Sequence, residues 1–502
     1  MGPSNRNQTM TDETNKTDKV ETKTGKAPMT DQIIETRHKI TIEGGEIEYT
    51  VTTGMLILRE ETPDREKDFE GEQPVAKFFF AAYTKDGMND PSKRPVSFSF
   101  NGGPGSSSVW LHLGLLGPRR VVMEFDGDLP KPPYQLTDNE FSLLDQTDLV
   151  FIDPVSTGYS RPAEGKKAKD FHGFKKDIES VGDFIRLYTT RYNRWLSPKF
   201  LIGESYGTTR ASGLSGYLQD RYGMYLNGII LVSAVLNFQT LDFTPGNELP
   251  YVLFLPTYAA TAWYHRALKI RRPLENLLLE VEKFAIHDYA PALMKGDALT
   301  KPERQAIVQK LASYTGLAPE YIERSNLRIP DYRFFKQLLR SKSRTFGRLD
   351  SRFLGIDADT IADGTQNDPS YTNILGPYTA AFYDYIRREL KFEQDIHYEI
   401  LNGKVWPWSY AEHENQFVYV AETLRQAMTV NPHLKIFLAN GYYDLATPYF
   451  ASEYTFNHLG LDESLKGNIR MYYYEAGHMM YIHLPSLEQL KKDMAEFIQS
   501  AI

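Results

Sequence analysis

Apolar positions in this 502-residue chain form short continuous runs, separated by stretches in which they recur every three or four residues. Continuous runs predict strands that are buried on both faces, as in a mostly parallel sheet, whereas spaced repeats predict helices. The pattern therefore predicts an α/β fold. The runs AKFFFAAYT, VSFSF, DLVFID, KFLIG, GIILVS, KIFLA and IRMYYY begin at Ala76, Val96, Asp148, Lys199, Gly228, Lys435 and Ile469.

Helical and hairpin signals lie between and around these runs. Residues 175–192 and 208–222 have helical spacing, and the second of these segments follows the run from Lys199. Alternating apolar residues flank Gly44-Gly45, which predicts a hairpin near the start of the sheet. An amphipathic helix is predicted to close the chain.

The character of the sequence changes at three places along the chain. Residues 1–35 are polar and charged, which is typical of a disordered tail. Residues 237–376 contain long, charged, helix-favouring stretches and no strong strand pattern. We therefore predict one α/β core formed by residues 36–236 and 377–502, with a mainly helical cap inserted at 237–376.

Composition excludes several kinds of function. The net charge is −8 and no long Lys/Arg block occurs, so nucleic acid is not an expected partner. The absence of cysteine excludes disulfides, thiolate metal sites and thiol catalysis. His478 and His483 have no third ligand nearby, so no metal or cofactor is expected.

No apolar run has the form of a signal peptide or the length of a membrane span. We therefore expect no membrane partner. The expected location is cytoplasmic, or periplasmic or secreted if the N-terminus has been processed.

A candidate nucleophile lies in the pentapeptide Gly203-Glu204-Ser205-Tyr206-Gly207. Gly-x-Ser-x-Gly alone is a weak signal, and a Gly-rich turn with an exposed serine is the alternative. Here the motif joins a predicted strand to a predicted helix. That context is typical of a serine held on a sharp strand-to-helix turn, where larger flanking residues would collide. Ser205 is therefore the predicted nucleophile.

A serine nucleophile needs a histidine base that is oriented by a carboxylate. Asp444 follows the run from Lys435, and His478 follows the run from Ile469, so both are expected at the carboxyl edge of the sheet. Alone, a loop aspartate is more typical of an Asx-turn, and a loop histidine is more typical of a surface position. The order Ser, Asp, His after successive strands favours catalysis over the rival histidines His458 and His483.

Two N–H donors for a developing oxyanion are also predicted. One is the backbone N–H of Tyr206, directly after the nucleophile. The other belongs to the loop Asn101-Gly102-Gly103-Pro104-Gly105, which follows the run from Val96. A phosphate-binding nest is the alternative, but the loop lacks the Lys-Ser/Thr ending of a P-loop and contains a proline.

The motifs NGGPGSSS from Asn101, DLVFIDPVSTGYS from Asp148, GESYG from Gly203 and AGHM from Ala476 resemble those of the serine carboxypeptidases, especially their cysteine-free bacterial branch. The resemblance implies an α/β-hydrolase fold. It also implies that the protein is a serine-type carboxypeptidase, releasing C-terminal residues from peptides through an acyl-enzyme.

By this resemblance, Ser205, Asp444 and His478 form the catalytic triad, and Gly103 and Tyr206 supply the oxyanion donors. Asn101 and Glu204 would bind the terminal carboxylate of a peptide substrate, with Glu204 in its protonated form.

The sequence departs from the family at Leu115, where a second glutamate is usual, and at Ser106, where a cysteine is usual. We hypothesise that apolar neighbours such as Leu115 keep Glu204 protonated by desolvation, which would preserve an acidic optimum. Two other functions remain open: ester hydrolysis or acyl transfer at the same site, and a non-catalytic binding protein on a hydrolase scaffold.

Overall fold

The computed structural model describes residues 29–61, 71–269 and 272–502. Most of the predicted tail, residues 1–28, lies outside the described residues. The first strand begins at Gln32, inside the predicted tail of residues 1–35, and pairs with the strand that follows. Among the described residues, no helix is both long and apolar enough to span a membrane.

The strands are β1 (Gln32–Ile42), β2 (Gly45–Glu61), β3 (Glu72–Lys85), β4 (Val96–Phe100), β5 (Arg119–Val121), β6 (Leu136–Asp138), β7 (Asp148–Ile152), β8 (Arg161–Pro162), β9 (Lys199–Ser205), β10 (Gly228–Ala234), β11 (Thr345–Phe346), β12 (Leu354–Gly355), β13 (Lys435–Gly441) and β14 (Ile469–Tyr474).

The helices are α1 (Val109–Leu111), α2 (Phe174–Arg191), α3 (Tyr206–Tyr222), α4 (Leu249–Tyr264), α5 (Leu274–Phe284), α6 (Ala290–Lys295), α7 (Lys301–Thr315), α8 (Pro319–Arg324), α9 (Asp331–Gln337), α10 (Pro369–Arg388), α11 (Ala421–Val430), α12 (Tyr449–Asn457), α13 (Glu463–Lys466) and α14 (Leu484–Ser500).

The main sheet has the strand order β1-β2-β3-β7-β4-β9-β10-β13-β14. Strands β1, β2, β3 and β7 pair antiparallel, and every pair from β7 to β14 along this order is parallel. The predicted hairpin at Gly44-Gly45 and the mostly parallel sheet are therefore confirmed.

Helices cover both faces of this sheet, which explains why its strands read as continuous apolar runs. On β9, Phe200 and Ile202 join one apolar cluster with α10 and α14, while Leu201 joins another cluster with α2, α3 and α11. Consecutive side chains of a strand point to opposite faces, so both faces of β9 require apolar residues. The α/β-hydrolase architecture predicted from sequence is present.

The segment between β10 and β13 contains helices α4 to α11 and the small β11-β12 hairpin. Many of its apolar residues form a third cluster, which also includes Tyr443 and Tyr449 from the loop and helix after β13. The predicted cap boundary at residue 376 falls inside α10. That helix packs Ile374, Tyr378 and Phe382 onto the core cluster, so its tertiary contacts belong to the core.

Candidate active site

Ser205 lies on a sharp turn where β9 ends and α3 begins. Its backbone has φ 59° and ψ −130°, a conformation that non-glycine residues rarely adopt. A Cβ on Gly203 would come within 2.2 Å of the Gly207 oxygen, and one on Gly207 within 2.8 Å of the Phe100 oxygen. Both flanking glycines are therefore required for the turn that presents the Ser205 side chain.

Asp444 and His478 are brought together at the carboxyl edge of the sheet. The Asp444 Oδ2 atom lies 2.8 Å from His478 Nδ1, and both side chains are buried. The backbone N–H groups of Ala446 and Thr447 donate to Asp444 Oδ1 at 2.7 and 3.0 Å. The Thr447 hydroxyl donates to Asp444 Oδ2 at 2.8 Å and lies 3.2 Å from His478 Nδ1. Thr447, which sequence reasoning missed, therefore helps to orient the pair.

The backbone of His478 is held from two sides. Its N–H donates to the Leu349 carbonyl at 2.6 Å, and its carbonyl accepts from the Ser233 hydroxyl at 2.6 Å. The neighbouring Gly477 N–H donates to Asp350 Oδ2 at 3.0 Å. The inserted segment and the end of β10 therefore together fix the position of the histidine.

Burial lowers the pKa of His478, but the charge and hydrogen bond of Asp444 outweigh burial and raise the pKa above its usual value. This is the behaviour of a base whose imidazolium form is stabilised by a carboxylate. The rival histidines lie elsewhere: His483 bonds to Ser486, and His458 bonds to the carbonyl of Tyr454 at the end of α12.

Ser205 and His478 line one cavity of about 400 Å³. Within the described part of the chain, the Ser205 side chain makes no hydrogen bond with His478. Such hydrogen bonds in substrate-free enzymes often become short only when the substrate binds. The other residues lining the cavity include Asn101, Gly103, Pro104, Trp110, Glu204, Arg348, Asp368, Tyr371, Trp406 and Met479.

The predicted oxyanion loop packs directly against the start of α3. A Cβ on Gly102 would lie 2.4 Å from the Tyr206 nitrogen, so the loop backbone and the first turn of the helix are in close contact. Gly103 has φ +103°, which favours glycine. Helix N-termini carry unpaired N–H groups and partial positive charge, so this position suits a developing oxyanion.

Glu204 and Asn101 line the same cavity as Ser205. Glu204 is 3% exposed, and its Oε2 atom accepts from the Tyr481 hydroxyl at 2.6 Å. Burial raises the pKa of Glu204 to about 7, although the His478 charge and the Tyr481 hydrogen bond act in the opposite direction. Asn101 Oδ1 accepts from Leu111 N–H, while its Nδ2 has no partner among the described residues.

A buried ion pair supports this corner of the site. Arg210 Nε donates to Asp177 Oδ2 at 2.8 Å, and both side chains are almost completely buried. Arg210 Nη1 also donates to the Asn101 carbonyl at 2.6 Å. Breaking a buried pair leaves an uncompensated charge, so Arg210 is a fixed donor to the Asn101 carbonyl of the predicted oxyanion loop. No spacing signal in the sequence linked these residues.

A metal centre would need several clustered oxygen, nitrogen or sulfur ligands. In residues 29–61, 71–269 and 272–502, no group of three or more His, Asp or Glu side chains could hold a metal ion.

Comparison with known proteins gives consistent matches. The family model of the serine carboxypeptidases matches residues 69–484. The pheromone-processing carboxypeptidase KEX1 of Saccharomyces cerevisiae is 34% identical over 160 residues, covering 30% of this chain and 20% of the yeast protein. Carboxypeptidase Y homolog A of Penicillium rubens is 30% identical over 141 residues, covering 28% of this chain and 22% of the fungal protein. The matched regions thus span about a fifth of the length of these relatives.

The fold is similar to a solved structure. The crystal structure of the prohormone-processing carboxypeptidase Kex1 from Saccharomyces cerevisiae superposes with a TM-score of 0.56 at 17% identity. The superposition covers 90% of this chain and 91% of that one. At this identity the match concerns the fold alone.

Proposed function

This chain belongs to the serine carboxypeptidase family, and from that membership we propose that it removes the C-terminal residue of peptides through an acyl-enzyme. The observation that carries the proposal is the shared cavity. Ser205 and His478 line it together with Asn101 and Glu204, so a nucleophile and base lie next to groups that suit a carboxylate.

In the proposed reaction, the Ser205 hydroxyl attacks the last peptide carbonyl while His478 takes its proton. The oxyanion accepts hydrogen bonds from the Gly103 and Tyr206 N–H groups. His478 then protonates the leaving amine, which departs as the free C-terminal amino acid. Water deprotonated by His478 attacks the acyl-enzyme, and its proton returns to Ser205 when the shortened peptide leaves.

Recognition of the chain end is proposed to involve Asn101 and Glu204. The unpaired Asn101 Nδ2 can donate to a substrate carboxylate. Protonated Glu204 can donate a second hydrogen bond, whereas ionised Glu204 would repel the carboxylate. A site of this kind favours peptides with free C-termini over amides and esters.

We expect a blocked dipeptide with a free C-terminus to be cleaved about tenfold or more faster at pH 6 than the same peptide as its C-amide, because hydrogen bonds to a charged group are lost in the amide. The rates are measured by release of the last residue. Equal rates for the free-carboxyl dipeptide and its C-amide would contradict the carboxypeptidase proposal. They would favour an esterase or acyltransferase that uses the same triad.

The pH dependence is expected to come from Glu204 and His478. Since burial raises the pKa of Glu204 to about 7, kcat/KM for a free-carboxyl peptide, taken relative to that for a neutral ester, should be about tenfold lower at pH 8 than at low pH, as the carboxyl ionises. Glu204→Gln, which cannot ionise, should abolish this fall. A neutral ester substrate should show no such fall in either protein. Persistence of the alkaline fall in Glu204→Gln would assign it to another group.

On the acid side, His478 must lose its proton to act as a base, so activity should fall as the pH drops through its raised pKa. The charge of Glu204 contributes to that raised pKa. The acid limb of Glu204→Gln is therefore expected to move to lower pH. The measurement is the same set of pH profiles, with the ester as the substrate that isolates His478.

A further inference from the structure

The Asn101 side chain acts on the Glu204 carboxyl, which also accepts a hydrogen bond from Tyr481. Its hydroxyl donates to Oε2 at 2.6 Å, and both side chains are buried, with 2% and 3% exposure. Tyr481 lies on the short 3₁₀ turn Met480–Ile482, three residues after His478. The loop that carries the candidate base therefore also carries the partner of Glu204.

The tyrosine ring reaches Glu204 only because residue 114 is a glycine. A Cβ on Gly114 would lie 2.5 Å from Tyr481 Cε2 and 2.6 Å from the hydroxyl of Tyr378. The next residue, Leu115, is fully buried in the core cluster. At the turn where a second glutamate is usual in this family, the chain thus has a glycine that admits a phenol and a leucine that packs in the core.

We propose that Tyr481 is a positioning residue for Glu204: its hydroxyl holds Oε2, so that Oε1 and the carboxyl proton are left to meet the substrate carboxylate. This inference rests on the proposed carboxypeptidase function and deepens it. Glu204 and Asn101 line the cavity, whereas Tyr481 is not among the described residues that line it. Tyr481 therefore acts through Glu204 and does not touch the substrate.

A phenol differs from a second carboxyl in one decisive respect. Burial raises the pKa of Tyr481 well above its usual value, so its hydroxyl stays a neutral donor throughout the working range. Two facing carboxyls share a proton and titrate as a coupled pair. Because Tyr481 stands where a second carboxyl could be, Glu204 is the only member of this hydrogen-bonded pair that titrates in the working range. The pair therefore has a single ionisation.

The charged and titratable groups facing Glu204 come from several elements. His478 and Asp444 follow β14 and β13, and their charges act on Glu204 in opposite directions. The buried hydroxyl of Tyr378 on α10 also faces it. The Tyr481 hydrogen bond favours the ionised form of Glu204, so its removal should raise the pKa of that carboxyl.

Tyr481→Phe is the direct test, because phenylalanine keeps the ring beside Gly114 and removes only the hydroxyl. For a free-carboxyl peptide, KM is expected to rise several-fold with kcat changed less than about twofold, since a bound carboxylate loses an oriented donor. The alkaline limb of the pH profile should move up by roughly one pH unit, as expected for one hydrogen bond to an ionised group. Hydrolysis of a neutral ester should be unchanged.

Tyr474→Phe is the matched control. Tyr474 is also buried in the core cluster, and its hydroxyl donates to Asp493 Oδ2 at 2.7 Å, away from the site. Both variants lose one phenol–carboxylate hydrogen bond, so general effects on packing should be alike. The positioning role is overturned if Tyr481→Phe and Tyr474→Phe have the same alkaline limb and the same KM. It is also overturned if Tyr481→Phe loses hydrolysis of the free-carboxyl peptide and of the ester equally.

An infrared titration separates this inference from the proposed function. The carboxyl C=O band of Glu204 is assigned by its absence in Glu204→Gln, and its midpoint is compared between the wild type and Tyr481→Phe. A midpoint that moves up in Tyr481→Phe supports the positioning role even if no peptide is cleaved, a result that would refute the proposed function alone. If the midpoint of the Glu204 band does not move and the protein does cleave peptides from their C-termini, only the role of Tyr481 is refuted.

Discussion

Replacing Ser205 with alanine is expected to lower kcat by about a millionfold, as happens when a triad nucleophile is removed. The reason is that the variant has no hydroxyl to form the acyl-enzyme, and only the oxyanion donors and binding remain. The measurement is digestion of a peptide pool, with mass spectrometry recording which ends become shorter. Shortening from free C-termini by the wild type, and none by Ser205→Ala, is the expected result.

Ser215→Ala is the control for this experiment. Ser215 is also buried on α3, where its hydroxyl donates to the Ser212 carbonyl at 2.7 Å. Its replacement should leave the digestion pattern unchanged. A fluorophosphonate should label the wild type and Ser215→Ala but not Ser205→Ala. Failure to label the wild type would instead favour a non-catalytic binding protein on this scaffold.

Asp444→Asn is expected to lower kcat about ten-thousandfold. The carboxylate accepts from Ala446, from Thr447 and from His478 Nδ1, and it is completely buried. An asparagine amide facing His478 would stabilise the wrong tautomer, with the proton on the nitrogen that should act as the base. The variant should be assayed with both an ester and a free-carboxyl peptide, and both rates should fall alike.

Asp462→Asn is a matched control for the loss of one carboxylate. Asp462 is exposed and caps α13 by accepting from the Ser464 N–H at 3.0 Å, and asparagine is an equally good cap. A loss of less than tenfold in Asp444→Asn would show that another group orients His478, and Thr447 would be the first candidate because its hydroxyl also approaches Nδ1.

The parts of this site that the sequence predicted are those with a local signature. Gly203 and Gly207 are required by contacts within the turn itself, so the pentapeptide carries its own structural constraint. Asp444 and His478 could be selected because each follows an apolar run, and carboxyl ends of parallel strands meet at one edge of the sheet. Their direct contact confirms that reasoning about strand ends.

Boundaries were less well predicted because local polarity does not decide them. The predicted tail includes Gln32–Glu35, yet this segment contains Ile33 and Ile34 and lies in β1, the edge strand that pairs with β2. The helix α10 begins within the predicted cap but packs on the core. Both differences arise because pairing and packing, which involve distant segments, outweigh local composition.

By itself, then, the sequence determined the α/β core and the positions of the candidate residues: Ser205 on its turn, Asp444 and His478 after their strands, and the glycine-rich loop from Asn101. Only the tertiary structure decided what surrounds them. Tyr481 and Glu204 are 277 positions apart, and Ser233 and His478 are 245 apart. Tyrosine occurs 32 times in the chain, so no spacing distinguishes Tyr481. Such contacts have no local signal, because they form only when the fold brings separate segments within hydrogen-bonding distance.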